Sequence, residues 1–521
     1  MTFLRSAALC LGIGALAACS GAGEDVASDE SMATASAFPK DFKFGAAIAG
    51  FQVDMGCPNV PAAECEDRSS DWYQWITTPR IVHNPILFMS KDPPSSGPGF
   101  FETYEEDLDR AANELGSNSV RLSIEWSRIF PQATWGITDH AELRAIASPA
   151  GLAFYHSLFR AMKARGLEPF VTVNHYSLPL WVHDGNMCNQ SLDDCIRAKK
   201  AGWADPDRSR ITNEIAKYAG FVAHEFGSEV DRWATLNEPF SAVVLPGYLI
   251  ATPMRSNPPG LSAFWARLDG AKTAAAAMIE AHAKMYDAIK ANDPGSEVGI
   301  VYAFSDIVPN TASAEDKRAA EHAQYVFHDM FMDGVVNGRL DEEWNAGPGK
   351  APVRADIAGR VDFIGVNYYF RFRAKPGWFG WLTGGISPYM DFDPLAGFDG
   401  DPKGLEATLR RVYERYKLPL YVSETGADMA NPQAGAAWMV QTMGQVKSAI
   451  ASGIDVRGFY AWTLMDNYEW NHGMQMRMGL YAVDPRTKAR TQRPAAAALG
   501  EMSRARDVPA ALEQKYASFF P

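Results

Sequence analysis

Two stretches of the sequence each carry a glutamate just beyond an apolar run. They are Thr235-Leu236-Asn237-Glu238-Pro239 and Tyr421-Val422-Ser423-Glu424-Thr425-Gly426. Two carboxyl groups facing each other across a cavity can break a glycosidic bond. One donates a proton to the leaving oxygen while the other attacks the anomeric carbon. Retention of configuration needs the pair ~5–5.5 Å apart, and inversion ~6.5–9.5 Å. A lone glutamate after a strand is more often a helix cap or an ion-pair partner. Two of them at equivalent positions argue against that reading.

Something must hold those glutamates at one mouth. From Phe38 onward, short apolar runs alternate with helical patterns, which predicts βα units and a parallel sheet. The expected strands are Phe44–Ile48, Ser119–Ile124, Phe170–Asn174, Arg232–Leu236, Val298–Ala303, Phe363–Val366, Leu418–Ser423 and Val456–Trp462. Eight strands close a barrel, so the fold class is α/β, a single (β/α)8 barrel. Expected helices include one from about Phe101 to Leu115, stopped by Gly116, and a long alanine-rich one over Ala271–Ile289. Chemistry in such barrels belongs at the C-terminal ends of the strands, where Glu238 follows the fourth and Glu424 closes the seventh. The domain, 38–521, exceeds a minimal barrel, so long loops such as Val53–Ser96 and Pro376–Asp401 must wall the site. The second loop has six aromatics (Trp378, Phe379, Trp381, Tyr389, Phe392, Phe398) and reads as a cover over the leaving group.

At these residues the sequence resembles the family 1 glycoside hydrolases. Asn237-Glu238-Pro239 looks like that family's acid/base motif, and Glu424 occupies its nucleophile motif. Further blocks resemble the family along almost the whole chain from Phe38 to about Arg493. They run Phe38-Pro39 through Phe44-Gly45 to Gln52, then Arg121-Leu122-Ser123-Ile124-Glu125-Trp126-Ser127-Arg128, Asn174-His175, Asn367-Tyr368-Tyr369, and Trp462 through Trp470. The Phe51–Trp75 stretch is most similar to the archaeal β-glycosidase branch. The resemblance implies a retaining exo-acting β-glycosidase that needs only water and no cofactor. It assigns substrate contacts to Gln52, His175, Tyr176, Asn237, Tyr369, Trp462, Glu469 and Trp470, and support of the nucleophile to Arg121 and Asn367. Arg121 is expected to favour the ionised form of Glu424, and a like charge to keep Glu238 protonated. No metal is implied.

The chain departs from the family at two places: Tyr176 stands where Trp is usual, and Thr425 where Asn is usual. These put glycone preference and rate in question but touch neither carboxyl. A 6-phospho-β-glycosidase is disfavoured, because Asn471-His472-Gly473-Met474-Gln475-Met476-Arg477 lacks the Ser and Lys of the phosphate cluster. A myrosinase-like enzyme would carry Gln at position 238. A non-catalytic sugar-binding lipoprotein on the same barrel is the alternative from another class. Asp107 and Asp109 read as a solvated helix face, Asp41 and Lys43 as turn surface, and Met474–Met478 as loop packing beside the sugar site.

The 521 residues carry 49 Lys and Arg against 62 Asp and Glu, a net charge of -13. That sign argues against nucleic acid and anionic lipid as partners. A small carbohydrate is the expected partner. The first residues read as a targeting segment (1–19), with Arg5, an apolar Ala7–Ala18 run too short to span a bilayer, and Leu16-Ala17-Ala18-Cys19-Ser20. That ending resembles a bacterial lipoprotein signal, with Cys19 lipidated and Ser20 favouring the outer membrane facing the periplasm. The plainer reading is an ordinary cleaved signal. Residues 20–37 read as a flexible linker. Cys57 with Cys65 and Cys188 with Cys195 are disulfide candidates in an oxidising compartment, against the alternative of four separate thiols.

Overall fold

A computed structural model describes residues 37–261, 267–382 and 387–520. The targeting segment, Cys19 and nearly all of the linker lie outside them. Eight parallel strands form a closed barrel: β1 Lys43–Ala47, β2 Ser119–Ser123, β3 Glu168–Asn174, β4 Arg232–Asn237, β5 Glu297–Ala303, β6 Ile364–Tyr368, β7 Leu420–Thr425 and β8 Val456–Trp462. Each strand pairs with its sequence neighbours, and β8 closes on β1 from Lys43↔Gly458 to Ala47↔Trp462. All eight expected strands are present, with ends displaced by at most two residues.

The strands are buried on both faces, as continuous apolar runs require when helices cover the outside. Inward side chains fall into layers. At the N-terminal end, Arg232 pairs with Glu168 and Glu297, joined by Lys43 and Arg457. Lys43 is thus part of a buried-end ion network, not turn surface, because its strand starts one residue earlier than expected. Above lie Phe170, Phe363, Tyr421 and Tyr460, whose rings meet edge-on at centroid distances of 5.1–5.8 Å. The next layer is polar: Arg121, Asn237, Asn367 and Glu424. Gly299 makes room for the aromatic layer, since a Cβ there would lie 2.7 Å from the Phe363 ring.

Helix Leu268–Asn292 extends the expected alanine-rich helix at both ends and packs on Ser209–Phe226. The helix expected from Phe101 runs from Phe100 to Asp109, widens over Arg110–Glu114, and is followed by Gly116 at φ +60°. Asp107 on it is buried and paired with Arg110 and Arg490, which corrects the solvated-face reading. Asp109 remains exposed and meets Arg165. Both disulfides are formed, Cys57–Cys65 and Cys188–Cys195. No helix among the described residues is long and apolar enough to cross a membrane.

Candidate active site

Strict alternation would turn Asn237 and Glu424 away from the barrel axis, since Ala234 and Tyr421 already face inward. The pairing register shifts between Ala234 and Asn237 in β4, and between Val422 and Glu424 in β7. One extra residue at each bulge turns both side chains to the interior. The next residue, Glu238, sits at φ +43°, a left-handed conformation that costs a non-glycine residue about 1–3 kcal/mol. Tyr176 and Trp470 also sit at positive φ, +74° and +50°. Such strain persists where surrounding contacts over-determine the position, as they do here.

Glu424 is buried. One of its oxygens takes a hydrogen bond from Arg121, and the other takes one from the Tyr369 hydroxyl at 2.6 Å. Arg121 also donates to Asn237 Oδ1 at 2.7 Å. Glu238 accepts from Asn367 Nδ2 at 2.7 Å and from the Tyr176 hydroxyl at 2.9 Å. Asn367 donates to Asn237 Oδ1 at 3.2 Å and is itself fixed by Ser423 Oγ at 2.8 Å. A continuous hydrogen-bonded chain therefore joins the carboxyls through Asn367, Asn237 and Arg121.

Burial pushes the Glu424 carboxyl up to about 7; the charge of Glu238 adds to this, while Arg121 and Tyr369 oppose it. The expected pull of Arg121 toward the ionised form is present, but desolvation outweighs one guanidinium. The two carboxyls still differ in kind. Glu424 has a cation on it, whereas Glu238 has only the neutral donors Asn367 and Tyr176. Burial and the adjacent carboxylates hold the Tyr176 and Tyr369 phenols well above the usual range, so both remain donors.

The remaining contacts form a second group. Gln52 Nε2 donates to Glu469 at 2.9 Å, and Asn467 Nδ2 donates to the same oxygen at 3.2 Å. Burial and the charges of Arg121 and Arg255 push His175 well below its usual value, so it stays neutral. Its Nε2 meets Asn237 Nδ2 at 3.2 Å, leaving the Nδ1 hydrogen to donate. Gln52 Oε1 and His175 Nδ1 are buried with no partner among the described residues. Neither would be left so in a dry core, and hydroxyl groups of a ligand would satisfy both. The His175 ring lies within 15° of parallel to Trp462 and Trp470. The cavity so enclosed holds about 480 Å³ and is lined by Glu238, Glu424, Glu469, Trp462 and Trp470, among others.

Both departures from the family pattern have partners. Tyr176 places its hydroxyl between Asn237 Nδ2, at 2.8 Å, and Glu238. Thr425 accepts from the Trp438 indole at 2.9 Å, holding that ring in the cavity wall. Met476 and Met478 line the same cavity. The sequence reading missed Trp438 and Arg255: one lies within a helix, the other in a loop, and neither carries a motif.

Residues 34–376 and 393–507 match the sequence profile described as Glycosyl hydrolase family 1. The chain belongs to glycosyl hydrolase family 1. This glycoside hydrolase is 33% identical to a beta-galactosidase of Sulfolobus acidocaldarius over 91% of this chain and 97% of that one. It is 34% identical to a beta-galactosidase of Saccharolobus solfataricus, covering 89% and 95%. In three dimensions it resembles the beta-glycosidase of the hyperthermophile Thermosphaera aggregans, with a TM-score of 0.77, 30% identity, and 92% and 99% coverage. The expected likeness to archaeal β-glycosidases holds.

Proposed function

We propose that this family 1 enzyme removes terminal β-linked sugars by double displacement, with Glu424 as nucleophile and Glu238 as acid/base. The observation that carries the assignment is the asymmetry of the two buried carboxyls. The one bearing Arg121 is built to be an anion, and the one bearing only neutral donors is built to carry a proton. In the first step Glu238 protonates the leaving oxygen as Glu424 bonds to the anomeric carbon. In the second, Glu238 takes a proton from water, whose oxygen displaces Glu424 and releases the sugar with its β configuration. Tyr369 and Arg121 hold Glu424 in line, and Asn237 is placed to meet the sugar 2-hydroxyl. Gln52, His175, Glu469 and Trp470 would take the remaining hydroxyls, with Trp462 against the ring. The buried orphan atoms of Gln52 and His175 favour a catalytic cavity closed around one sugar, hence exo action on a β-glucoside, with β-galactoside and β-fucoside accepted too.

The test is turnover of aryl β-glucoside, β-galactoside and β-fucoside by the chain from Phe38 onward. Glu424→Ala is expected to lose at least about 10⁴-fold, and azide to restore turnover with an α-glycosyl azide as product. A folded wild type that hydrolyses none of the three would overturn the reading in favour of a sugar-binding role.

Export as a lipoprotein anchored through Cys19, in the outer membrane facing the periplasm, is part of the same proposal. It rests on Leu16-Ala17-Ala18-Cys19-Ser20, and the two disulfides are consistent with an oxidising compartment. Mass spectrometry of the envelope-purified protein should find an acylated Cys19 as its first residue, and Cys19→Ser should remain unacylated.

A further inference from the structure

Two cavities meet beside Glu238. The catalytic one shares Ser241, Met254, Arg255, Ala303, Tyr369 and Phe370 with a second chamber of about 200 Å³. Away from that junction the wall is mostly apolar, built from Leu245, Ile250, Phe304, Phe327, Phe372 and Phe398. Its outer rim leaves Leu395 and Phe398 exposed at 49% and 37%. Phe398–Asp399 is stitched to the strand Arg371–Ala374, and Phe379 from the same loop also lines the chamber. Residues 377–392, Phe379 among them, fall outside the match to the family profile. A second sugar placed here would turn several hydroxyls toward phenyl rings, each unmet hydroxyl costing free energy. A flat aromatic ring suits the walls.

Arg255 stands at the junction. Its guanidinium lies 5.7 Å over the Tyr176 ring, and Tyr176 in turn bonds Glu238. One terminal nitrogen forms an ion pair with Glu469 Oε1 at 3.6 Å, beyond hydrogen-bond range, while Gln52 and Asn467 bond the other oxygen of that glutamate. The other terminal nitrogen is buried with no hydrogen-bond partner among the described residues. A planar cation with unspent N–H groups is matched by a carboxylate, which brings both charge and acceptor lone pairs. A neutral hydroxyl would bring only the acceptor.

We propose that this enzyme selects β-glycosides whose leaving group is an aromatic carboxylate, the ring in the apolar chamber and the carboxylate on Arg255. Hydroxybenzoates and hydroxycinnamates are the chemical class, released with their phenolic proton supplied by Glu238. The inference rests on the glycosidase reading above and narrows it to one kind of substrate.

Carboxyphenyl and carbamoylphenyl β-glucosides, paired at the 2-, 3- and 4-positions, separate charge from shape. For at least one position the wild type should favour the carboxylate in kcat/KM by roughly tenfold to a hundredfold, the worth of a charge-assisted hydrogen bond. In Arg255→Gln that ratio should fall to near one, and Arg255→Lys should keep part of it. Free cinnamate should inhibit 4-nitrophenyl β-glucoside turnover more strongly than cinnamamide, again only with the cation present, which removes leaving-group acidity from the comparison. Equal handling of acid and amide by an active wild type overturns the inference and leaves the glycosidase reading standing. So does a preference that survives in Arg255→Gln, or a preference for disaccharides over every aryl glycoside. Absence of all turnover overturns both readings.

Discussion

Tyr176 is the residue at which this chain most alters the chemistry of its acid/base. Its hydroxyl donates to Glu238 and accepts from Asn237, so it ties the proton donor to the amide proposed to hold the sugar 2-hydroxyl. Tyr176→Phe is expected to lower kcat by roughly tenfold, about the worth of a hydrogen bond to a charged group, with a smaller effect on KM. An unchanged kcat would reduce Tyr176 to a wall. The acidic limb reports on Glu424, which is held up to about 7 partly by the charge of Glu238. Removing that charge with Glu238→Gln should lower the apparent pKa of Glu424. The acid limb for an activated aryl glycoside should then lie at lower pH than in the wild type, and a limb left in place would argue that the two carboxyls do not interact. Both carboxyls were legible from the sequence because each sits in a motif; the burial that raises Glu424 was not, since it depends on every strand end around it.

At the scale of elements, the site depends on two bulges and on the segments that carry Gln52 and His175. The turn after β1 is fixed from beneath by Glu125. Its carboxyl accepts from Ser123 at 2.8 Å and from Ser177, three residues past the end of β3, while Ser123 accepts from Gly50 N. One side chain thus spans the segments bearing Gln52 and His175. Alternation could not reveal this, because Glu125 reads as an ordinary helix-starting acid just before Trp126. The Cys57–Cys65 bridge closes another part of the wall, in the loop whose Trp72 packs on Trp470 at 4.6 Å. Cys57→Ser with Cys65→Ser should cost roughly 2–3 kcal/mol by loop-closure entropy, read as a lower Tm in the oxidised protein only. No difference between oxidised wild type and the double variant would mean that the bridge constrains nothing in the unfolded chain. The strands themselves were placed within two residues from their apolar runs, but the register shifts in β4 and β7 were invisible. A bulge is set by the neighbours on either side, not by the strand's own pattern.

For the whole molecule, buried carboxyls contribute to the response to pH, and His175, His282 and His328, held below the usual value by burial, oppose them. Asp54, Glu125 and Glu424 are each pushed up to about 7, chiefly by burial. An acid whose folded value is raised holds a proton that the unfolded chain has already released. Stability from these groups is therefore present at the acidic end and lost as pH rises from about 4.5 through 7. Calorimetry should show the Tm of Glu125→Gln gaining on that of the wild type between pH 5 and pH 7.5; a difference that stays constant across that range would refute it. The sequence by itself determined the barrel, its eight strands, the two carboxyls and many residues of the cavity around them. Apolar periodicity and short motifs are local properties, and local properties can be read from a string. Only the tertiary structure decided which way Asn237 and Glu424 face, that Asp107 and Lys43 are paired, and that Arg255 stands between the cavity of the two carboxyls and an apolar chamber. Each of those depends on desolvation and on contacts between segments far apart in the chain, where no local pattern carries the information.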